Sequence, residues 1–312
     1  MREVFGTMAK WLDTHVPFAA GTLVQAFESA PAAIGTTIAV DETRRIAGNI
    51  GAGCYESDIV ETCLQTIGDG AFRVLPINLS SDDEIIGSSG CGGALKIAIW
   101  KPLQDFAVDA SAIALGVEDV TVRLPQGFTF TIPARQHLVV VGATTLANDL
   151  ARLCRGLDFF VTIVDPRPLF ATAERLRDAD EVVMEWPQDY LPRVLDTCAA
   201  LLVVSHDPKF DLPALSAGLR SAVPYIGLLG SRRSQASRRQ SLRELGFTDA
   251  DLMRIHGPAG LDLGGHTTGE TALSILAQVV ADARGRSGMP LERTTGSIHS
   301  LVSAATTSAT AM

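Results

Sequence analysis

The sequence predicts an α/β protein of two domains, a first α/β domain followed by a doubly wound parallel-sheet domain. Three observations carry this. From His137 onward, apolar runs alternate with helix-patterned segments: Leu138–Val141, Phe160–Val164, Leu201–Ser205 and Tyr225–Gly230. Such runs suit parallel strands buried on both faces, with helices as right-handed crossovers between them. Before His137 the rhythm differs, because strand-like runs are joined by polar turns around one helix. Finally, 28 glycines suit turns and backbone-lined sites better than a helical bundle. Strand, turn, helix and strand open the second half, which makes it Rossmann-like.

The elements follow in order. Val4, Met8, Trp11 and Leu12 form one face of an N-terminal helix that docks on the core. Thr22–Phe27 and Thr36–Val40 read as strands, and Asp41–Arg45 as a hairpin turn with a polar tip. A helix carries Ile59, Val60, Cys63, Leu64 and Ile67 on one side, with Gly68 and Gly70 ending it. Phe72–Leu79 is another strand, Asp82–Glu84 a polar loop, and Leu95–Trp100 a strand again. Residues 101–135 read as a connecting segment with some sheet, and the domain boundary falls near Pro133. The last helix, Glu270–Ala283, places Ala272, Ile275, Leu276, Val279 and Ala283 on one face. Beyond Gly285 the Ser, Thr and Ala-rich sequence has little periodicity and reads as a mobile tail. The expected domains are therefore 1–133 and 134–285, with a tail at 286–312.

Composition excludes several classes. A net charge of −9 is a poor match for nucleic acid, which calls for a basic footprint. No run approaches the ~18 apolar residues of a membrane-spanning helix, and the N-terminus lacks the pattern of a signal peptide. Five scattered cysteines without a CxxC pair argue against a zinc site or a disulfide framework, and for a reducing cytoplasm.

Several stretches are candidates for chemistry. Gly142-Ala143-Thr144-Thr145-Leu146-Ala147 sits where a dinucleotide fingerprint sits, with Gly142 at the first glycine position and Thr144 at the second. Asp165 follows 23 residues after Gly142, where an acid would hold a ribose hydroxyl. Two readings stand: NAD(P) binding, or a fold that kept the topology and lost or altered the ligand. After the third strand, His206 is either an acid–base or ligand-contacting group, or a capping and packing residue where Asp207 and Pro208 start a helix. Ser231 is a helix N-cap. Arg232 and Arg233 suit phosphate, while Arg238, Arg239 and Arg243 read as a solvated face. Glu270 is either a catalytic carboxylate or the residue that closes a capping box with Thr267 as N-cap. Cys91 lies between Gly90 and Gly92-Gly93, and Cys54 follows Gly51-Ala52-Gly53, with Glu56 two residues on. Glycine amides form anion-binding concavities that favour thiolate, a nucleophile and soft metal ligand. Two such clusters in one domain suggest one shared, phosphate-bearing ligand; the alternative is two ordinary turns with buried cysteines.

Seven stretches, in order, resemble the XdhC/CoxI family of molybdenum hydroxylase accessory proteins. They are Ser29-Ala30-Pro31 with Gly35, then NIGAGCYE (Asn49–Glu56), GCGG (Gly90–Gly93) and VDPRPLFATAERL (Val164–Leu176). SHDPKFDLPAL (Ser205–Leu215), YIGLLGSRR (Tyr225–Arg233) and RIHGPAGLDLG (Arg254–Gly264) complete the set. The resemblance implies a cofactor chaperone without turnover of its own, similar to those that bind molybdenum cofactor, support its sulfuration and deliver it to an apo molybdenum hydroxylase. It implies a cysteine desulfurase-type sulfurtransferase as second partner, and a homodimer. By the family's pattern Cys91, with Gly90, Gly92 and Gly93, belongs to the cofactor site and meets the metal, and Gly51, Gly53, Cys54 and Glu56 form its companion loop. The second domain would either support dimerisation or hold the nucleotide of a dinucleotide cofactor, through Gly142, Asp165, His206, Ser231 and Arg232. The competing functions are an NAD(P)-dependent oxidoreductase and an adaptor that docks partners without holding cofactor. The sequence departs from the family at Ala32, Ala52, Thr144, Thr145, Gly269 and Gln278.

Overall fold

The computed structural model describes residues 2–28, 33–51, 55–78 and 93–295. The chain divides into two compact units, Met1–Arg135 and Gln136–Met312.

The first unit holds α1 (Arg2–Asp13), β1 (Phe18–Glu28), β2 (Thr37–Asp41), β3 (Ile46–Gly48), α2 (Glu56–Asp69), β4 (Arg73–Asn78) and β5 (Gly93–Trp100). It continues with α3 (Phe106–Leu115), β6 (Val120–Arg123) and β7 (Thr129–Ile132). β1 to β5 form one antiparallel sheet in the order β3-β2-β1-β5-β4. The period of two sends alternate side chains to opposite faces. Ala20, Ala39 and Ala98 face a core with Phe5, Met8 and Trp11 of α1 and Ile113 of α3. Ala19, Ile38, Ile97 and Ile99 face a second core with Ile59 and Cys63 of α2. The turn after β2 is held by Asp41, fully buried, which accepts from the amides of Thr43 and Arg45 and from Arg45 Nε. Gly70, with φ +70°, caps α2, whereas Gly68 lies inside that helix.

Residues 101–135, expected as a connector with some sheet, hold the helix α3 besides the β6–β7 hairpin. Its sequence FAVDASAIAL is apolar nearly all round, so no stripe of period 3.6 marks it.

The second unit holds β8 (Gln136–Val141), α4 (Thr145–Cys154), β9 (Phe159–Val164), β10 (Glu181–Val183), α5 (Pro187–Tyr190), β11 (Ala200–Val203) and α6 (Pro208–Arg220). β12 (Tyr225–Leu228), α7 (Arg232–Glu244), α8 (Asp249–Leu252), β13 (Ile255–His256) and α9 (Thr268–Ala283) complete it. Its six strands are parallel in the order β10-β9-β8-β11-β12-β13, the doubly wound order of a Rossmann fold. Leu138 and Val140 pack with α4 and α9 on one face, and Val139 and Val141 with α5 and α6 on the other. β10 and β13 are too short to carry a periodic signal. Ala283, expected on the buried face of α9, is exposed.

Residues 286–295, expected as the start of a tail, fold back on the unit: the Arg286 amide donates to the Ala281 carbonyl at 2.8 Å, and Leu291–Arg293 forms a 3-10 turn. The remainder of the expected tail, 296–312, lies outside the described residues. Among the described residues no helix is long and apolar enough to cross a membrane.

Candidate functional site

The register of the first sheet puts its candidate loops at one end. β1 runs out at Glu28, opposite Gly93, where β5 begins. β4 finishes at Asn78, opposite Ala94, at that same end. β3 is antiparallel to β2, which is antiparallel to β1, so the chain leaves Gly48 towards that end too. Segments 29–32, 52–54 and 79–92, which contain Gly53, Cys54, Gly90, Cys91 and Gly92, lie outside the described residues. The strands fix where those segments leave the fold, and β2, α2 and β5 where they rejoin it. Gly51 is described, and a Cβ there would fall 1.9 Å from the Tyr55 hydroxyl, so only glycine admits the Tyr55 ring at this approach. Glu56 opens α2, where a carboxylate complements the helix dipole.

In the second unit the ligand crevice of such a sheet opens between β8 and β11, whose following helices go to opposite faces. Its lining differs from the sequence expectation. Gly142 has φ +114°, and a Cβ there would fall 2.7 Å from Ser205 Cα, so contact with the next strand's loop already demands glycine. Thr144 is the N-cap of α4, its hydroxyl accepting from the Ala147 amide at 3.1 Å. Asp165 was expected to meet a ribose. Instead it is buried, and accepts from the Ala143 amide at 2.7 Å, the Arg167 amide at 3.0 Å, and Arg167 Nε and Nη2 at 2.9 and 2.6 Å. Burial alone pushes its carboxyl up, but these donors outweigh it and hold the carboxyl below its ordinary value. Asp165 is thus the anion that the turn binds, with no free lone pair turned to solvent.

His206 is exposed and held at φ +62°. Asp207 is the N-cap of α6, accepting from the Lys209 amide at 3.0 Å. Ser231 caps α7 as expected, and Arg232 and Arg233 are exposed in its first turn. Thr267 and Glu270 form the expected capping box of α9.

Two of the three arginines read as a solvated face are structural. Arg238 is buried and meets the buried Asp211 through Nε at 2.6 Å and Nη2 at 2.5 Å. Ser205 donates to the other oxygen of Asp211, which ties this pair to the crevice. Arg239 donates to the carbonyls of Leu252 and Ile255 at 2.8 and 2.9 Å. Arg243 is exposed, paired with Asp249 at 2.9 Å. Sequence missed this Asp211–Arg238 pair because the partners lie 27 residues apart on different helices.

The described cysteines sit where burial disfavours the thiolate. Cys63, Cys154 and Cys198 are buried, and burial pushes each thiol up to about 12. Cys198 does lie 3.3 Å from His137 Nδ1, but its thiol donates to the Val194 carbonyl at 3.2 Å.

Comparison with known proteins bears on both units. The pattern of the XdhC and CoxI family matches residues 11–78, and that of the XdhC Rossmann domain matches residues 138–279. The chain belongs to the XdhC/CoxI family. Among its relatives is the molybdenum cofactor insertion chaperone PaoD of Escherichia coli, 25% identical over 83% of this chain and 81% of PaoD. A probable xanthine dehydrogenase component of Bacillus subtilis is 22% identical over 83% of this chain and 91% of that protein. YqeB of E. coli is 23% identical over 89% of this chain, which spans only 46% of YqeB. A crystal structure described as that of a xanthine dehydrogenase from Bacillus halodurans covers 90% of this chain, and is itself 96% covered, with a TM-score of 0.72 at 20% identity. That likeness gives this XdhC/CoxI member the same fold.

Proposed function

We propose that this chain is an accessory chaperone that holds molybdenum cofactor in its first unit and inserts it into an apo molybdenum hydroxylase. The observation that carries this reading is the register: the ends of β1, β3 and β4, from which the chain leaves towards residues 29–32, 52–54 and 79–92, share one end of one sheet. Both glycine–cysteine clusters therefore have their anchors on the same side of the unit. The donor set fits the cargo: glycine amides suit the phosphate of a pterin, and a thiolate at Cys91 suits molybdenum or a transferable sulfur. Family membership and the likeness to PaoD, a molybdenum cofactor insertion chaperone, support the same reading. In it the chain works in the cytoplasm as a homodimer, Gly51, Gly53, Cys54 and Glu56 form the companion loop to Cys91, and a cysteine desulfurase-type partner supplies sulfur. The second unit contributes to the nucleotide end of a dinucleotide cofactor.

The NAD(P)-dependent alternative has less support. In the turn that would hold a pyrophosphate, the Ala143 amide is taken by Asp165, the Thr144 amide by the Gly142 carbonyl, and the Ala147 amide by the Thr144 hydroxyl.

The test is retention of cofactor. Reduced protein is mixed anaerobically with released molybdenum cofactor, and molybdenum and pterin per chain are measured beside Cys91→Ala. Retention near one per chain, lost in the variant, is expected. No retention by the wild type overturns the reading and leaves an adaptor that docks the hydroxylase without cofactor.

A further inference from the structure

A pocket of about 450 Å³ lies between α5, the C-terminal part of α6 and the residue that follows α7. Asp196, which precedes β11, and Ser221, which precedes β12, both line it. It therefore sits at the amino ends of these strands, the edge of the parallel sheet opposite the ligand crevice. Its volume falls in the ~300–1,000 Å³ range of small-molecule sites. Leu212, Pro192 and Leu245 give it apolar walls, and Leu245 is left 55% exposed. Leu212, Ser216 and Arg220 recur every four residues along α6, which sets them in one row along the pocket.

The polar groups of this pocket lack the partners that would explain them. Ser216 is only 8% exposed, yet its hydroxyl has no hydrogen-bond partner among the described residues. A hydroxyl on so buried a side chain ordinarily finds one, so this one points to a group that the pocket receives. Arg220 lies over the Phe247 ring with its Cζ 5.2 Å from the centroid, and meets no carboxylate among the described residues. Asp196 accepts the Ala222 amide through Oδ1 at 2.9 Å, and meets no cation among them. That bond holds Asp196 against the chain two residues beyond Arg220. A guanidinium and a carboxylate thus line one pocket without pairing with each other.

Charge narrows the ligand. An anion drawn to Arg220 meets the like charge of Asp196, and a cation drawn to Asp196 meets that of Arg220. A small molecule with both charges satisfies both, and an apolar body on it is covered by Leu212 and Pro192. We infer that this pocket binds an α-amino acid with an apolar side chain, its carboxylate on Arg220 and the Ser216 hydroxyl and its ammonium on Asp196. The site lies wholly within the second unit and does not depend on the chaperone reading.

Isothermal titration calorimetry of the full chain tests it with L-leucine, L-methionine and L-phenylalanine. Two leucine analogues are run beside them: 4-methylpentanoate, which lacks the ammonium, and 3-methylbutylamine, which lacks the carboxylate. Saturable binding of at least one amino acid, and of neither analogue, is expected. Arg220→Gln and Asp196→Asn should each weaken it about tenfold or more, the loss of one charge-assisted contact. Asparagine keeps the acceptor for the Ala222 amide, and circular dichroism checks that both variants are folded. Absence of saturable binding by all three amino acids overturns the inference. So does equal binding of either analogue, or unchanged affinity in both folded variants. Molybdenum retention is read separately, so either reading can fail alone.

Discussion

Asp165 Oδ2 accepts the Ala143 amide at 2.7 Å, so the carboxylate at the end of β9 closes the turn at the end of β8. In a dinucleotide-binding sheet these two places belong to different parts of a ligand, the ribose and the pyrophosphate. Here each satisfies the other, and Arg167 balances the charge at 2.6 Å. The topology of a nucleotide fold is kept while the Ala143 amide of its usual anion site is engaged from within.

Restoring the fingerprint glycine should therefore not restore the ligand. Thr144→Gly puts glycine at the second position and removes a side-chain cap, at a stability cost of a few tenths of a kcal/mol. Asp165 still holds the Ala143 amide, so NADH binding, followed by fluorescence, is expected to stay undetectable. Appearance of tight NADH binding in this variant would show that Thr144 alone blocks the site.

The same pair sets a pH dependence. The Asp165 carboxyl is held below its ordinary value in the folded chain, so its contribution is complete above the unfolded value of ~3.9 and is lost as pH falls through the folded one. The urea midpoints of wild type and Asp165→Asn should differ by a constant amount from pH 7 to about pH 5 and converge below about pH 4. A gap that widens in acid would contradict this sign.

The buried pair Asp211–Arg238 is the most sensitive point of the second unit. Arg238→Met leaves Asp211 buried, without its guanidinium and with only Ser205 as donor. A loss of about 3–5 kcal/mol in unfolding free energy is expected, and the double variant with Asp211→Leu should be milder than the single one. A change within about 0.5 kcal/mol, the range of ordinary surface substitutions, would mean that the pair carries no stability.

Thiol reactivity should divide the five cysteines. In the native chain at pH 8, Cys63, Cys154 and Cys198 should resist iodoacetamide, because burial pushes each thiol up to about 12. Peptide mapping after limited labelling is expected to find them modified only after denaturation. Native labelling of any of the three at its denatured rate would contradict the burial.

Much of the architecture was legible because it is written in local patterns. Continuous apolar runs marked β8, β9, β11 and β12, and the spacing of Ala272, Ile275, Leu276 and Val279 marked α9. Ser231 and the Thr267–Glu270 box were readable as caps, since a cap and its partner lie three residues apart. The seven motifs carried the family. Helix α3 was not legible, because a segment apolar on all sides shows no stripe, and neither were the short edge strands β10 and β13.

What the sequence determined by itself was the order of the longer strands and helices, the caps at Ser231 and Thr267, and the family. Only the tertiary structure decided that Asp165 turns to Ala143, that Arg238 is buried on Asp211, and that Arg167 lies over both Phe170 and Phe210. Periodicity reports which face of an element is apolar, over a few residues at a time. These partnerships join side chains from different loops and helices, 22 residues apart for Ala143 and Asp165 and 27 for Asp211 and Arg238, and they exist only once the parallel sheet has brought its carboxyl ends together.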